Sequence, residues 1–166
     1  IVDAFSKSIR LGLDLERTGE LSQAGISRAL QALHVCAKKL NKFGVRNSRL
    51  VATEACRRSK NGKSFLSKVK KETGLTLELI KPEEEARLAV ISCAPLFDPN
   101  FSHVLIVDIG GGSTELVWMD LSEVPKEKRI AEMLKLQLGF KNKNYSKFEN
   151  SKKDHIKIVD WISVPL

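Results

Sequence analysis

Between Ser22 and Phe43 the apolar residues Ile26, Leu30, Leu33, Ala37 and Leu40 recur every three or four positions, the period of one buried helical face. Ser22 can cap that helix, and Gly44 stops it. Residues 49–53 read as a short strand. A second helix is predicted over residues 62–73, with Phe65, Leu66 and Val69 inward and Gly74 at its end. Residues 75–80 alternate like a strand. Pro82 suits a first helical position, and Glu83, Glu84 and Glu85 follow in the turn where carboxylates meet the positive end of the helix dipole. This third helix carries Leu88, Ala89 and Ile91 to about Cys93, and residues 95–102 form a loop.

The most apolar strand, residues 103–109, breaks at Gly110-Gly111-Gly112 and resumes over residues 114–119. Strand pattern on both sides predicts a glycine turn between strands. Residues 125–138 predict a helix with Ile130, Met133, Leu134 and Leu138 inward. Residues 141–153 hold almost nothing apolar and are expected to be a mobile insertion. Residues 156–164 are expected as a strand that begins a second unit, which places a domain boundary near residue 121. The alternation of helix and strand, with no internal repeat, gives an α/β class.

A chain of 166 residues, 42% apolar and 29% charged, can bury one core, or one and a half small ones. No apolar run approaches the ~18–20 residues that span a bilayer, so an integral membrane protein is excluded. The chain begins at Ile1, and Asp3, Lys7 and Arg10 interrupt any leader-like run, so it is expected to be a piece of a longer protein. Cys36, Cys56 and Cys93 are scattered, which favours reduced thiols in the cytoplasm over a disulfide framework. His34, His103 and His155 are equally scattered, so a carboxylate site is the open option for a metal. The net charge is +8, and its distribution matters more than its size. Residues 36–71 hold twelve basic residues and one acid, Glu54. Such a region attracts a polyanion or forms a solvated basic face. A nucleic-acid binder ranks last, because only Phe43 and Phe65 offer stacking there.

Three motifs carry candidate chemistry. Asp108-Ile109-Gly110-Gly111-Gly112-Ser113-Thr114-Glu115 sets glycine amides beside two hydroxyls, with a carboxylate at each end, as a magnesium–phosphate site needs. A flexible hairpin turn is the plain alternative. A dinucleotide fingerprint would require a helix after the glycines. Gly62-Lys63-Ser64 matches the tail of a nucleotide P-loop, but Arg57 stands where its first glycine belongs. Glu83-Glu84-Glu85 could supply a general base, or merely cap a helix. Thr53-Glu54-Ala55-Cys56-Arg57-Arg58 places arginine at the end of a strand, suited to clamping phosphate or to a surface pair.

In their order the blocks Val51–Arg57, Asn61…Phe65…Val69…Glu72-Thr73-Gly74-Leu75, Glu83-Glu84-Glu85-Ala86-Arg87-Leu88 and Val107–Leu116 resemble the exopolyphosphatase/guanosine pentaphosphate phosphatase (Ppx/GppA) family. The resemblance covers residues 1–120 and returns weakly at Trp161–Leu166. It implies the actin-like ATPase (ribonuclease-H-like) fold, a mixed sheet with flanking helices, with two lobes and the site in the cleft between them. Residues 1–120 would be the first lobe, lacking the family's N-terminal phosphate-loop hairpin. Residues 121–166 would be a Lys/Asn-rich insertion and the start of the second lobe.

The resemblance further implies a bacterial cytoplasmic hydrolase of the stringent response. It would use Mg2+ to remove the terminal phosphate from inorganic polyphosphate or guanosine pentaphosphate. Its catalytic glutamate falls on Glu85 and its phosphate-binding arginine on Arg57. Its second phosphate loop falls on Gly110, Gly111, Gly112 and Ser113, with Asp108 and Glu115 as the carboxylates for metal and water. No membrane or specific nucleic-acid partner is implied, and a homodimer is an open option for the whole protein. The alternatives are a binding module of the same fold without hydrolysis, and an actin-like ATPase or sugar-kinase lobe. The latter would not need Glu85-Ala86-Arg87-Leu88.

Overall fold

A computed structural model describes residues 1–136 and 156–165; the expected insertion at 141–153 lies outside the described residues. Two compact units, residues 1–80 and 81–166, divide the chain.

In the first unit, Asp14 and Gly19 adopt left-handed conformations at either end of one helical turn, α1 (Leu15–Thr18). Helix α2 (Gln23–Lys42) begins where the Ser22 hydroxyl accepts the Gly25 N–H at 3.1 Å, as its sequence predicts. Strand β1 (Val51–Ala52), α3 (Glu54–Arg58), α4 (Gly62–Thr73) and β2 (Glu78–Leu79) follow. The strands pair in parallel, Val51 opposite Glu78 and Ala52 opposite Leu79. Both are shorter than the expected strands, and α3 was not expected, since five residues are too few to display a helical period. Helices α2 and α4 pack together over a core that includes Leu21, Ile26, Leu30, Ala52, Cys56, Phe65 and Val69. The Asn61 amide closes this core across 40 residues: its Oδ1 accepts the Leu21 N–H at 2.8 Å, and its Nδ2 donates to the Leu21 carbonyl at 2.9 Å.

In the second unit, α5 (Pro82–Cys93) runs between its predicted ends and continues into a 3-10 turn, Ala94–Leu96. Strands β3 (His103–Ile109) and β4 (Ser113–Asp120) form an antiparallel hairpin around the glycines. A 3-10 turn at Lys126–Lys128 leads into α6 (Arg129–Leu134), shorter than the predicted helix because its chain turns at Lys135. Strand β5 (Lys157–Pro165) pairs antiparallel with β4. So the strand expected to begin a second unit is instead the third strand of the sheet that carries the glycine turn, order β3-β4-β5.

Cross-strand register sorts this sheet into two faces. Inward lie the rows Val104–Met119–Ile158 and Ile106–Val117–Trp161, packed with Ala86, Ala89, Val90 and Met133. Outward lie Leu105–Trp118, Val107–Leu116–Ile162 and Ile109–Thr114–Val164, most of them exposed. Ile158 and Trp161, three residues apart on β5, share the inner face only because the register shifts by one residue opposite Trp118/Met119. That bulge changes the strand's alternation.

Candidate functional site

Beside the glycine turn, the inner face ends in a third row, and that row is polar: Asp108, Glu115 and Ser163 stand where the rows behind them hold Ile106, Val117 and Trp161. Glu115 is 1% exposed. Its Oε1 accepts the Ser163 hydroxyl at 2.9 Å, while its Oε2 is buried without a protein partner. A buried polar atom left so costs about 1–3 kcal/mol, more when charged, unless a ligand or cation pairs with it. Asp108, directly opposite on β3, is exposed.

The turn itself is closed by the Gly110 N–H donating to the Ser113 carbonyl at 2.8 Å. Among the described residues the left-handed glycines are Gly19, Gly44 and Gly74, so the turn does not use its glycines for a positive φ. A Cβ at Gly111 would meet nothing within 4 Å. Among the described residues no backbone acceptor takes the amides of Gly111 and Gly112. Conformation and packing therefore leave glycine at 111 unexplained, whereas an anion approaching the backbone explains it. Among the described residues no group of three or more His, Cys, Asp or Glu is gathered for a metal. Two opposed carboxylates, one with an orphaned oxygen, suit magnesium, which binds one or two carboxylates and fills its other positions with water and phosphate oxygens. They do not suit zinc.

Helix α5 packs on β3 and β4 and presents Glu83, Glu84 and Glu85 in its first turn. Glu84 is held by Arg87, whose Nε and Nη2 donate at 2.6 and 2.7 Å. Glu85 is half-buried. Glu83 carries a second buried carboxylate oxygen without a protein partner, Oε2. The sequence leaves Glu83 open as a general base or a cap, and only the resemblance singles out Glu85 beside it. Sequence reasoning passed over Ser163 because only strand pairing brings that residue to Glu115.

Arg57 belongs to the first unit and lies within α3, not at a strand end. Its Nε and Nη2 donate to Glu54 Oε2 at 3.0 and 2.7 Å, and its Nη1 donates to the Ile80 carbonyl at 2.8 Å. Burial pushes the neighbouring Cys56 thiol up to about 11, against the opposing charge of Arg57. The basic stretch is partly neutralised. Lys39 pairs with Asp3, Arg49 with Glu78, Arg58 with Glu16, and Lys68 with Glu72. Lys38, Lys42, Arg46, Lys60, Lys63, Lys70 and Lys71 are exposed and have no carboxylate partner among the described residues. No helix among the described residues is long and apolar enough to cross a membrane.

A model of the Ppx/GppA phosphatase family matches residues 1–143. The chain is 30% identical over 164 residues to a bifunctional 3-dehydroquinate synthase/phosphatase of Fusobacterium nucleatum, covering 93% of this chain and 24% of that protein. It is 30% identical over 132 residues to exopolyphosphatase 1 of Mycobacterium tuberculosis, covering 80% and 37%. A crystal structure of the Aquifex aeolicus Ppx/GppA family member is 40% identical with a TM-score of 0.56, over 68% of this chain and 36% of that one. The type II variant of the Aquifex aeolicus phosphatase is 32% identical with a TM-score of 0.59, over 96% and 41%. The fold is accordingly the actin-like one of these neighbours, of whose length the chain spans less than half.

Proposed function

The chain belongs to the Ppx/GppA phosphatase family, and from that premise we propose that it acts as a phosphoanhydride hydrolase, removing the terminal phosphate of inorganic polyphosphate or guanosine pentaphosphate. The observation that carries this reading is the polar row beside the turn, where Glu115 keeps a buried oxygen without a protein partner next to the open amides of Gly111 and Gly112. In the proposed reaction, the open amides of Gly111 and Gly112 and the Ser113 hydroxyl take the terminal phosphoryl oxygens. Arg57 is a further phosphate-binding group on the strength of the family motif. Asp108 and Glu115 would hold magnesium, which when bound would offset the charge of the phosphoryl oxygens. Glu85 accepts a proton from the water that attacks the terminal phosphorus. The bond from phosphorus to the bridging oxygen breaks, and that oxygen leaves with the shortened chain. The odd number and scattered spacing of Cys36, Cys56 and Cys93 support a reducing, cytoplasmic setting.

Phosphate release from both substrates, with and without magnesium, tests the proposal. The parent is expected to release phosphate, and Glu85→Gln to lose roughly 10²–10⁴-fold in rate. A parent silent on both substrates at saturating magnesium refutes hydrolysis. A polyanion-binding module is the second reading, favoured by the exposed lysines of α2 and α4, Lys38, Lys42, Lys63, Lys70 and Lys71. Retention of polyphosphate without phosphate release would select it.

A further inference from the structure

The geometry points to Ser163 as the residue that positions Glu115 for its ligand. This inference rests on the reading of Asp108 and Glu115 as the cation-holding pair. Ser163 lies on β5, beyond the stretch matched by the family model, where the resemblance to the family returns only weakly and no site residue is assigned. Three observations carry the assignment. Ser163 stands directly opposite Glu115 in the β4–β5 ladder. Its hydroxyl donates to Glu115 Oε1 at 2.9 Å. The other carboxylate oxygen, Oε2, remains buried and unpartnered.

A glutamate side chain has three rotatable bonds, and on the inner face Glu115 has apolar neighbours along its own strand, Val117 first. One charge-assisted hydrogen bond on Oε1 therefore fixes which oxygen stays available and where it lies. Groups that orient a metal-binding side chain in this way commonly change metal affinity by about 10–100-fold when removed. The bulge serves the same end. Ile158 and Ser163 are five residues apart, which in a regular strand would set them on opposite faces. With the register shift between them, Ile158 pairs with buried Met119 and Ser163 with buried Glu115. The strand thus fills the core with one half and supports the carboxylate with the other.

The test uses Ser163→Ala, Ser163→Thr and Ser163→Val in the full chain, with Mn2+ binding followed by electron paramagnetic resonance and the magnesium dependence of phosphate release measured alongside. Threonine and valine have nearly the same shape, and only threonine keeps the hydroxyl. Ala and Val are expected to weaken Mn2+ binding and raise the half-saturating magnesium about tenfold, with the rate at saturating magnesium within about threefold of the parent. Thr is expected to match the parent within about twofold in both. The inference is overturned if Thr and Val behave alike, if Ala leaves Mn2+ binding unchanged, or if the parent binds no Mn2+. Failure of the hydrolase reading looks different: no variant releases phosphate, yet Mn2+ binding still separates Thr from Val.

Discussion

At the scale of single residues, Cys56 shows how burial decides chemistry. Its side chain is 5% exposed in the first core, and desolvation pushes its thiol up to about 11 despite Arg57 next door. The folded state thus keeps a proton that the unfolded chain releases near the ordinary thiol value. The resulting stability is whole below that ordinary value and is lost as pH rises through about 11. Urea unfolding at pH 8 and pH 11 should differ by roughly 2 kcal/mol from this group, and Cys56→Ala should flatten the slope while lowering stability at both. At pH 8, iodoacetamide should modify the half-buried Cys36 and Cys93 well before Cys56. Equal labelling of all three would contradict the burial described.

At the scale of elements, Gly62 was legible only as part of a false phosphate motif, and α3–α4 packing supplies its actual reason. A Cβ at Gly62 would lie 2.1 Å from the Cys56 carbonyl oxygen and 2.8 Å from Ser59 Oγ. Gly62→Ala should cost about 2–3 kcal/mol in chemical denaturation, and a neutral result would mean that the α3–α4 junction is looser than described. Long periodic elements were readable in advance: α2, α4, α5 and the β3–β4 hairpin fall at or within a residue or so of their predicted ends. The short ones were not. Two-residue β1 and β2 owe their existence to pairing with each other, and α3 to the chain's return from β1, neither of which leaves a local period. The candidate site divides the same way. Asp108, the glycines and Glu115 are contiguous and carry a motif, whereas Ser163 joins them through a ladder 48 residues away in sequence. The change of alternation inside β5 further hides it, since reading that strand with one constant period puts either Ile158 or Ser163 on the wrong face.

At the scale of the whole molecule, the +8 charge is the property a polyanion would meet first. Carboxylates claim part of the basic stretch, and the exposed lysines of α2 and α4 remain. Reversing Lys38, Lys42, Lys70 and Lys71 to Glu should weaken binding of long polyphosphate more than tenfold at low salt, with short chains losing less than about threefold. The dependence of affinity on salt should become shallower; equal losses for both lengths would remove the case for charge-guided capture. The same charge acts on the outward face of the β3–β5 sheet, where Leu105, Val107, Ile109, Trp118, Ile162 and Val164 are exposed. Like-charged chains repel one another over about 10 Å at 0.1 M salt, and over less as salt rises, while the attraction between apolar faces is undiminished. Ionic strength is therefore a colloidal variable for this chain as well as a binding one: conditions that release a polyanion also let the chains cluster, and a fall in apparent affinity at high salt has to be separated from loss of dispersed protein.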